Sequence, residues 1–278
     1  MYLFFFYAVL MSPTVQDIFN IIDSIAPVHL AEPWDNVGLM VGNWSAQVTA
    51  ILLGLDPTTP LLDEALTLNA NLVITHHPVI FHPLKSIHLD QPDGQFIELA
   101  LKNKMSIISS HTNFDSAPGG TSDILAQLLG LQNIQPLVPH ECGEPGCGIG
   151  RVGDYVDPLS PEDFIERLRT ACAPPWLLGA GTVPRRISRV AVCGGSCSEL
   201  AEQALRAEAQ VLLTAEVKHH IARRAEETGL WLIDAGHFAT ELPGMHNLAR
   251  LLAAEADKRF GGIPVAVCGI QGSPLHLI

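Results

Sequence analysis

The segment Ile51-Leu52-Leu53-Gly54-Leu55-Asp56, followed after a helical stretch by Leu72-Val73-Ile74-Thr75-His76-His77-Pro78, decides how this chain folds. Neither apolar run shows the polar alternation of a strand with one wet face, so both read as parallel strands covered on both sides. Between them Thr59-Pro60 opens a helix through Asp63-Glu64-Ala65-Leu66 to about Leu68, and Asn69-Ala70-Asn71 ends it. The unit is strand, helix, strand.

That unit recurs. A gapless shift that carries Ile51 onto Val190 also carries Leu72 onto Val211, giving Val190-Ala191-Val192-Cys193, Glu202-Gln203-Ala204-Leu205 and Val211-Leu212-Leu213-Thr214. A third element repeats at a nearly equal shift. The apolar runs Met105–Ile108 and Leu230–Ile233 lead to His111-Thr112-Asn113-Phe114-Asp115 and His237-Phe238-Ala239-Thr240-Glu241. These repetitions predict an α/β fold of two similar, interleaved halves, with helices layered on mixed or parallel sheets. The Gly-, Pro- and Cys-rich stretch from Pro136 to Pro161 reads as the loop between halves.

With 278 residues, 47% hydrophobic and 16% charged, the chain can bury a sizeable core. Its net charge of −13 argues against a nucleic-acid partner, because Lys85, Lys102, Lys104 and Arg185-Arg186 are too sparse to make a basic face. Cys142, Cys147, Cys172, Cys193, Cys197 and Cys268 contain no Cys-x-x-Cys pair and read as reduced thiols of a cytoplasmic protein. The apolar leader, residues 1–10, is shorter than the roughly 20 residues that span a bilayer. It also lacks the basic flank and cleavage site of a signal peptide, so no membrane partner is expected. Met11 precedes a helix start, with Ser12 as N-cap and Pro13 at the first helical position, and residues 1–10 are read as lying outside the fold.

The chemistry begins at His76 and His77. Adjacent strand residues point to opposite faces, so the two can share a site only where the strand stops, and Pro78 stops it. Ligands of open parallel sheets gather at that edge. Imidazoles with Asp115 and Glu241 suit a borderline divalent metal, and no thiol lies within these segments. Read singly, the two carboxylates fit helix caps or solvated charges; their shared position after an apolar run and a histidine is what singles them out. A pair of ions roughly 3.5–4 Å apart would lower the pKa of a shared water. His111 stays open between ligand, support behind a ligand, and proton carrier. His219-His220 is placed near the site but off the metal.

Two motifs have duller readings. Gly148-Ile149-Gly150-Arg151-Val152-Gly153 fits the dinucleotide pattern Gly-x-Gly-x-x-Gly, but Tyr155-Val156 follows where a helix is required. Cys193-Gly194-Gly195-Ser196-Cys197 sits at a strand-to-helix turn, with Ser196 and Glu199 spaced as a capping box. Such a turn either holds an anion or is simply tight and well capped.

Taken together, six blocks in order resemble the NIF-three-like family, also called GTP cyclohydrolase 1 type 2 homologs. They are Glu32-Pro33-Trp34-Asp35-Asn36-Val37-Gly38-Leu39, Thr75-His76-His77-Pro78 with Pro83-Leu84-Lys85, Ser110 to Asp115, Gly148-Ile149-Gly150-Arg151 with Cys193 to Ser196, Glu216 to His220, and Asp234 to Glu241. The resemblance implies metal ligands at His76, His77, Asp115, His237 and Glu241, with Glu241 as the bridge. It implies two divalent ions per subunit (iron, zinc or manganese) and a ring-like homohexamer. Residues 11–135 plus 236–278 are expected to form a first α/β domain carrying most of the metal ligands, and 136–235 a second. Cys197 departs from the family, where a small residue often follows Gly-Gly-Ser.

The family name suggests hydrolytic opening of the guanine ring of GTP. The reading is a metal-dependent hydrolase in which a metal-bound hydroxide attacks a small, nucleotide-like substrate and His111 is the catalytic proton carrier. The alternatives are a non-catalytic metal-binding or regulatory protein, and a metal-dependent phosphoesterase.

Overall fold

A computed structural model describes residues 12–278, so the reading of the leader lies outside the described residues. The first half runs α1 (Val15–Ile25), β1 (Gly38–Val41), β2 (Ile51–Gly54), α2 (Thr59–Thr67), β3 (Leu72–Thr75), α3 (Pro92–Lys102), β4 (Ser106–Ser109), α4 (Thr112–Ser116) and α5 (Thr121–Leu128). A hairpin of β5 (Gln132–Pro139) and β6 (Gly148–Leu159) follows. The second half runs α6 (Pro161–Cys172), β7 (Leu178–Ala180), β8 (Ile187–Val192), α7 (Ala201–Arg206), β9 (Val211–Thr214), α8 (His219–Thr228), β10 (Trp231–Asp234), α9 (His237–Phe260) and β11 (Val265–Val267).

Two sheets result, ordered β1-β4-β3-β2-β11 and β5-β6-β8-β9-β10-β7. The duplication predicted from the repeated segments is plain in the pairing. In each half three parallel strands in sequence order, β2-β3-β4 or β8-β9-β10, are closed by an antiparallel strand that precedes them in the chain, β1 or β7. Helices cover both faces of each sheet. Leu53 and Ile74 pack toward α1 and α9, whereas Leu52 and Val73 pack toward α2 and α3. Leu213 and Ile233 likewise face α5 and α6, and Leu212 and Leu232 face α7 and α8. This double cover is why all four residues of β2, β3, β9 and β10 are buried and why no polar alternation appears. Among the described residues no helix is long and apolar enough to cross a membrane.

Three local expectations are corrected. Helix α1 is capped by Thr14, not Ser12: Thr14 Oγ1 accepts from the Asp17 amide at 3.2 Å, and Asp17 Oδ2 accepts from the Thr14 amide at 2.8 Å. Thr14 still bridges to Gln47 as extended chain, and the Pro13 carbonyl accepts from the Val48 amide, so the helix cannot begin earlier. The stretch from Pro136 to Pro161 is largely hairpin. Its glycines permit close pairing: a Cβ on Gly148, at φ +146°, would stand 2.2 Å from the Val138 carbonyl oxygen. The capping box of Ser196 and Glu199 does not form. A 3-10 turn over Ser198–Leu200 precedes α7 without a side-chain cap, and Glu199 pairs with Lys218 instead.

A histidine–carboxylate centre between the two halves

The backbone turns as soon as β3 ends. The His76 and His77 amides donate to the Gly54 and Leu55 carbonyls at 3.2 and 2.9 Å, keeping the pair attached to β2. The Ser109 hydroxyl donates to the His76 carbonyl and that of Thr75 to the His77 carbonyl, which fixes the turn from both sides. The other contributors come from helices. His111 is the residue before α4 and Asp115 lies one turn on; His237 begins α9 and Glu241 lies one turn on, so each pair shares a helix face.

These residues converge. His76 Nε2 lies 3.5 Å from Asp115 Oδ1 and 3.7 Å from Glu241 Oε1. Glu241 Oε2 lies 3.3 Å from His77 Nε2 and 3.0 Å from His237 Nε2, and those two nitrogens are 3.2 Å apart. The ligand-type atoms of His76, His77 and His111 group within 4.8 Å of one another, as do those of His77, His237 and Glu241. His219 and His220 begin α8, are exposed and join neither group.

Each histidine is held by its far nitrogen. His76 Nδ1 meets the Ser110 carbonyl at 2.9 Å; a carbonyl only accepts, so Nδ1 carries a proton and Nε2 is the nitrogen turned to the centre. Carboxylates take the same role elsewhere: Asp56 on His77 at 2.8 Å, Asp35 on His111 at 2.9 Å, and Glu216 on His237 at 2.7 Å. Imidazoles backed by oxygen acceptors, with the opposite nitrogen turned to a common centre, are arranged as metal ligands are. Reasoning from sequence missed Asp35, Asp56 and Glu216. Asp35 and Glu216 lay inside quoted blocks, and the gapless shift places Glu216 opposite His77, which was a usable signal.

The electrostatics follow from burial. Glu241 is 3% exposed and His76 is wholly buried. Burial opposes the Glu241 charge, yet His76, His237 and His77 hold its carboxyl well below the usual range. Burial likewise opposes charge on His77, but Asp56 and Glu241 hold it up at about 10; His237, between Glu241 and Glu216, is held up at about 9. Asp35 falls to about 2, because the hydrogen bonds from His111 and Thr112 outweigh the cost of burying it.

His76 Nε2 and Glu241 Oε2 are buried without a hydrogen-bond partner among the described residues. Buried polar atoms left without partners call for a bound group that satisfies them. The separations among His77, His237 and Glu241, 3.0 to 3.3 Å, also suit a metal: bonds of about 2.1 Å put neighbouring ligand atoms about 3.0 to 3.4 Å apart. The donor set therefore fits a divalent ion.

The turn Gly194-Gly195 closes over this cluster. A Cβ on Gly195, at φ +68°, would stand 2.1 Å from Glu241 Oε1 and 3.2 Å from His237 Nε2. Its glycines serve close approach to a carboxylate. An anion held there would meet Glu241, which overturns the anion reading.

The fold and centre define an α/β protein of two duplicated halves with a candidate metal site at their junction. The chain belongs to the Duf34/NIF3 (NGG1p interacting factor 3) family, whose profile matches residues 13–274. It is 33% identical over 257 residues to a Clostridium acetobutylicum protein named GTP cyclohydrolase 1 type 2 homolog, covering 92% of this chain and 96% of that one. A Nostoc protein of the same name is 40% identical over 205 residues, covering 73% and 76%. The crystal structure of a Staphylococcus aureus hypothetical protein superposes with a TM-score of 0.89 at 26% identity, covering 95% of this chain and 99% of that one.

Proposed function

We propose that the protein is a hydrolase acting on a small, nucleotide-like substrate with two divalent ions held between its halves. One observation carries the reading: the two oxygens of Glu241 face different partners, Oε1 toward His76 and Oε2 toward His77 and His237. A carboxylate so divided suits a bridge, with His76 and Asp115 on one side and His77 and His237 on the other. When bound, such ions would supply Lewis acidity and activate a water molecule. His111 does the remaining work. Its Nδ1 is tied to Asp35, so its other nitrogen is free to accept a proton and the carboxylate steadies the charge that results. Trp34 and Phe81 rest near its ring, at centroid distances of 6.3 and 6.4 Å. The names of the relatives and the open pocket beside His77 and His237 support a substrate over a storage role.

The test is metal analysis of the purified protein together with hydrolysis assays on a panel of nucleosides and nucleotides. Turnover that disappears with chelator and returns with metal is the expected result. Two bound ions without turnover of any compound would turn the assignment to a metal-binding regulator.

A further inference from the structure

A second cluster of metal-type side chains shares no residue with the centre. The ligand-type atoms of His29, Cys142 and Glu144 all lie within 4.8 Å of one another, and the three residues are exposed. His29 belongs to the 3-10 turn Val28–Leu30 of the first half, whereas Cys142 and Glu144 lie in the loop that joins β5 to β6. His29 Nε2 stands 3.2 Å from Glu144 Oε1. Cys147, buried at the foot of the same loop, brings its Sγ to 3.9 Å from Glu144 Oε2.

The loop is shaped to present these groups together. Two successive tight turns close it: the Gly143 amide donates to the His140 carbonyl at 3.1 Å and the Cys147 amide to the Glu144 carbonyl at 3.2 Å. Gly143 and Gly146 take φ of +72° and +80°, left-handed values that a side chain disfavours. A Cβ on Gly143 would meet nothing within 4 Å, so this glycine serves the direction of the backbone and not packing. Arg151 holds the base of the loop, donating to the Gly146 and Gly148 carbonyls at 3.1 and 2.6 Å.

A surface ion pair accounts for His29 and Glu144. It does not account for a thiol that reaches the same point, with a second thiol beside it. Thiolate, imidazole and carboxylate make up a zinc donor set. Tetrahedral bonds of about 2.1 Å to nitrogen and oxygen and about 2.3 Å to sulfur put a nitrogen and an oxygen about 3.4 Å apart, and an oxygen and a sulfur about 3.6 Å. The separations of 3.2 and 3.9 Å lie close to both.

We propose that His29, Cys142, Glu144 and Cys147 bind one zinc-type divalent ion, separate from the ions of the centre, and that this ion staples the hairpin tip to the Val28–Leu30 turn. The proposal does not depend on the hydrolase reading.

The test is cobalt(II) titration of the full chain, treated with chelator and kept reduced. Cobalt enters zinc sites, and a thiolate bound to it gives a sulfur-to-metal charge-transfer band in the near ultraviolet. The five residues of the centre offer nitrogen and oxygen only, so the band reports the thiolate site. It should appear in the unaltered chain, vanish when excess zinc is added, and persist in Glu241→Gln. Cys142→Ser should roughly halve its intensity or do more, because one of two thiolate ligands is gone. His29→Ala should raise the cobalt concentration at half saturation on the order of tenfold or more. Both side chains are exposed, so both variants are expected to fold. No band in the unaltered chain, full intensity in Cys142→Ser, unchanged half saturation in His29→Ala, or loss of the band in Glu241→Gln overturns the proposal.

Discussion

At the scale of single residues, Glu241 has the most demanding position, buried and shared by three histidines. Glu241→Gln keeps its shape but removes the negative charge that would hold two cations together. It should lose at least one metal equivalent per subunit by elemental analysis. His111→Asn should retain most metal and lose turnover; complete metal loss in that variant would make His111 a ligand. The pH dependence of the metal-free protein has a definite sign. His77 and His237 are held up at about 10 and about 9, above the ordinary histidine value near 6.5. Their protonation therefore favours the folded state fully below pH ~6.5, and that gain is lost as pH climbs through 9 to 10. The melting temperature of chelator-treated protein should fall between pH 7 and 10, a loss that bound metal suppresses. The five residues that converge at the centre were all singled out in sequence, because two histidine–carboxylate pairs repeat and two adjacent histidines end a strand. The carboxylates behind the histidines were not. A lone Asp56 or Glu216 after a strand looks like any solvated acid until the fold sets it beside its imidazole.

At the scale of elements, periodicity located the strands and the α2 unit closely but misjudged helix starts and the hairpin. Ser12-Pro13 has the chemistry of a cap; only the pairing of Thr14 with Gln47, distant in sequence, delays the helix. Glycines and prolines from 136 to 161 suggested a loop because their usual effect is to break pairing, whereas here they let β5 and β6 approach closely. The same hairpin carries Arg151, wholly buried. It donates to the carbonyls of Gly148, Gly150, Ala117 and Gly146 and pairs with Asp123 at 2.8 Å, binding the hairpin to the α4–α5 corner. Arg151→Met would strand a half-buried carboxylate and four carbonyls. A loss of about 3–5 kcal/mol is expected by urea titration. Gly195→Ala tests the turn over the centre. Its methyl group must displace Glu241, so metal affinity should fall while the far-UV circular dichroism spectrum is unchanged.

At the scale of the whole molecule, the two halves share a plan but have divided their tasks. Where the first ends β3 in His76-His77, the second ends β9 in Ala215-Glu216 and at that position supplies only the group that steadies His237, its other contributions coming from α9. Duplication was readable because strands buried on both faces keep their apolar runs; the division of labour needed coordinates. The homohexamer implied by the family resemblance is a prediction at this scale. Native mass spectrometry should give six times the 30.0 kDa chain, and a monomer mass would reject it.

Helix α9 follows the last parallel strand of the second sheet yet packs Met245, Leu248 and Leu252 against β2 of the first. Synthesis proceeds from the other end. When His76, His77 and Asp115 leave the ribosome, their partners on α9 are still untranslated, so a nascent chain would hold only half of the candidate metal site. With the proposed ions, full-strength capture of metal would be postponed until nearly the whole polypeptide exists. Truncated translation products would then be poor scavengers of the cell's metal pool.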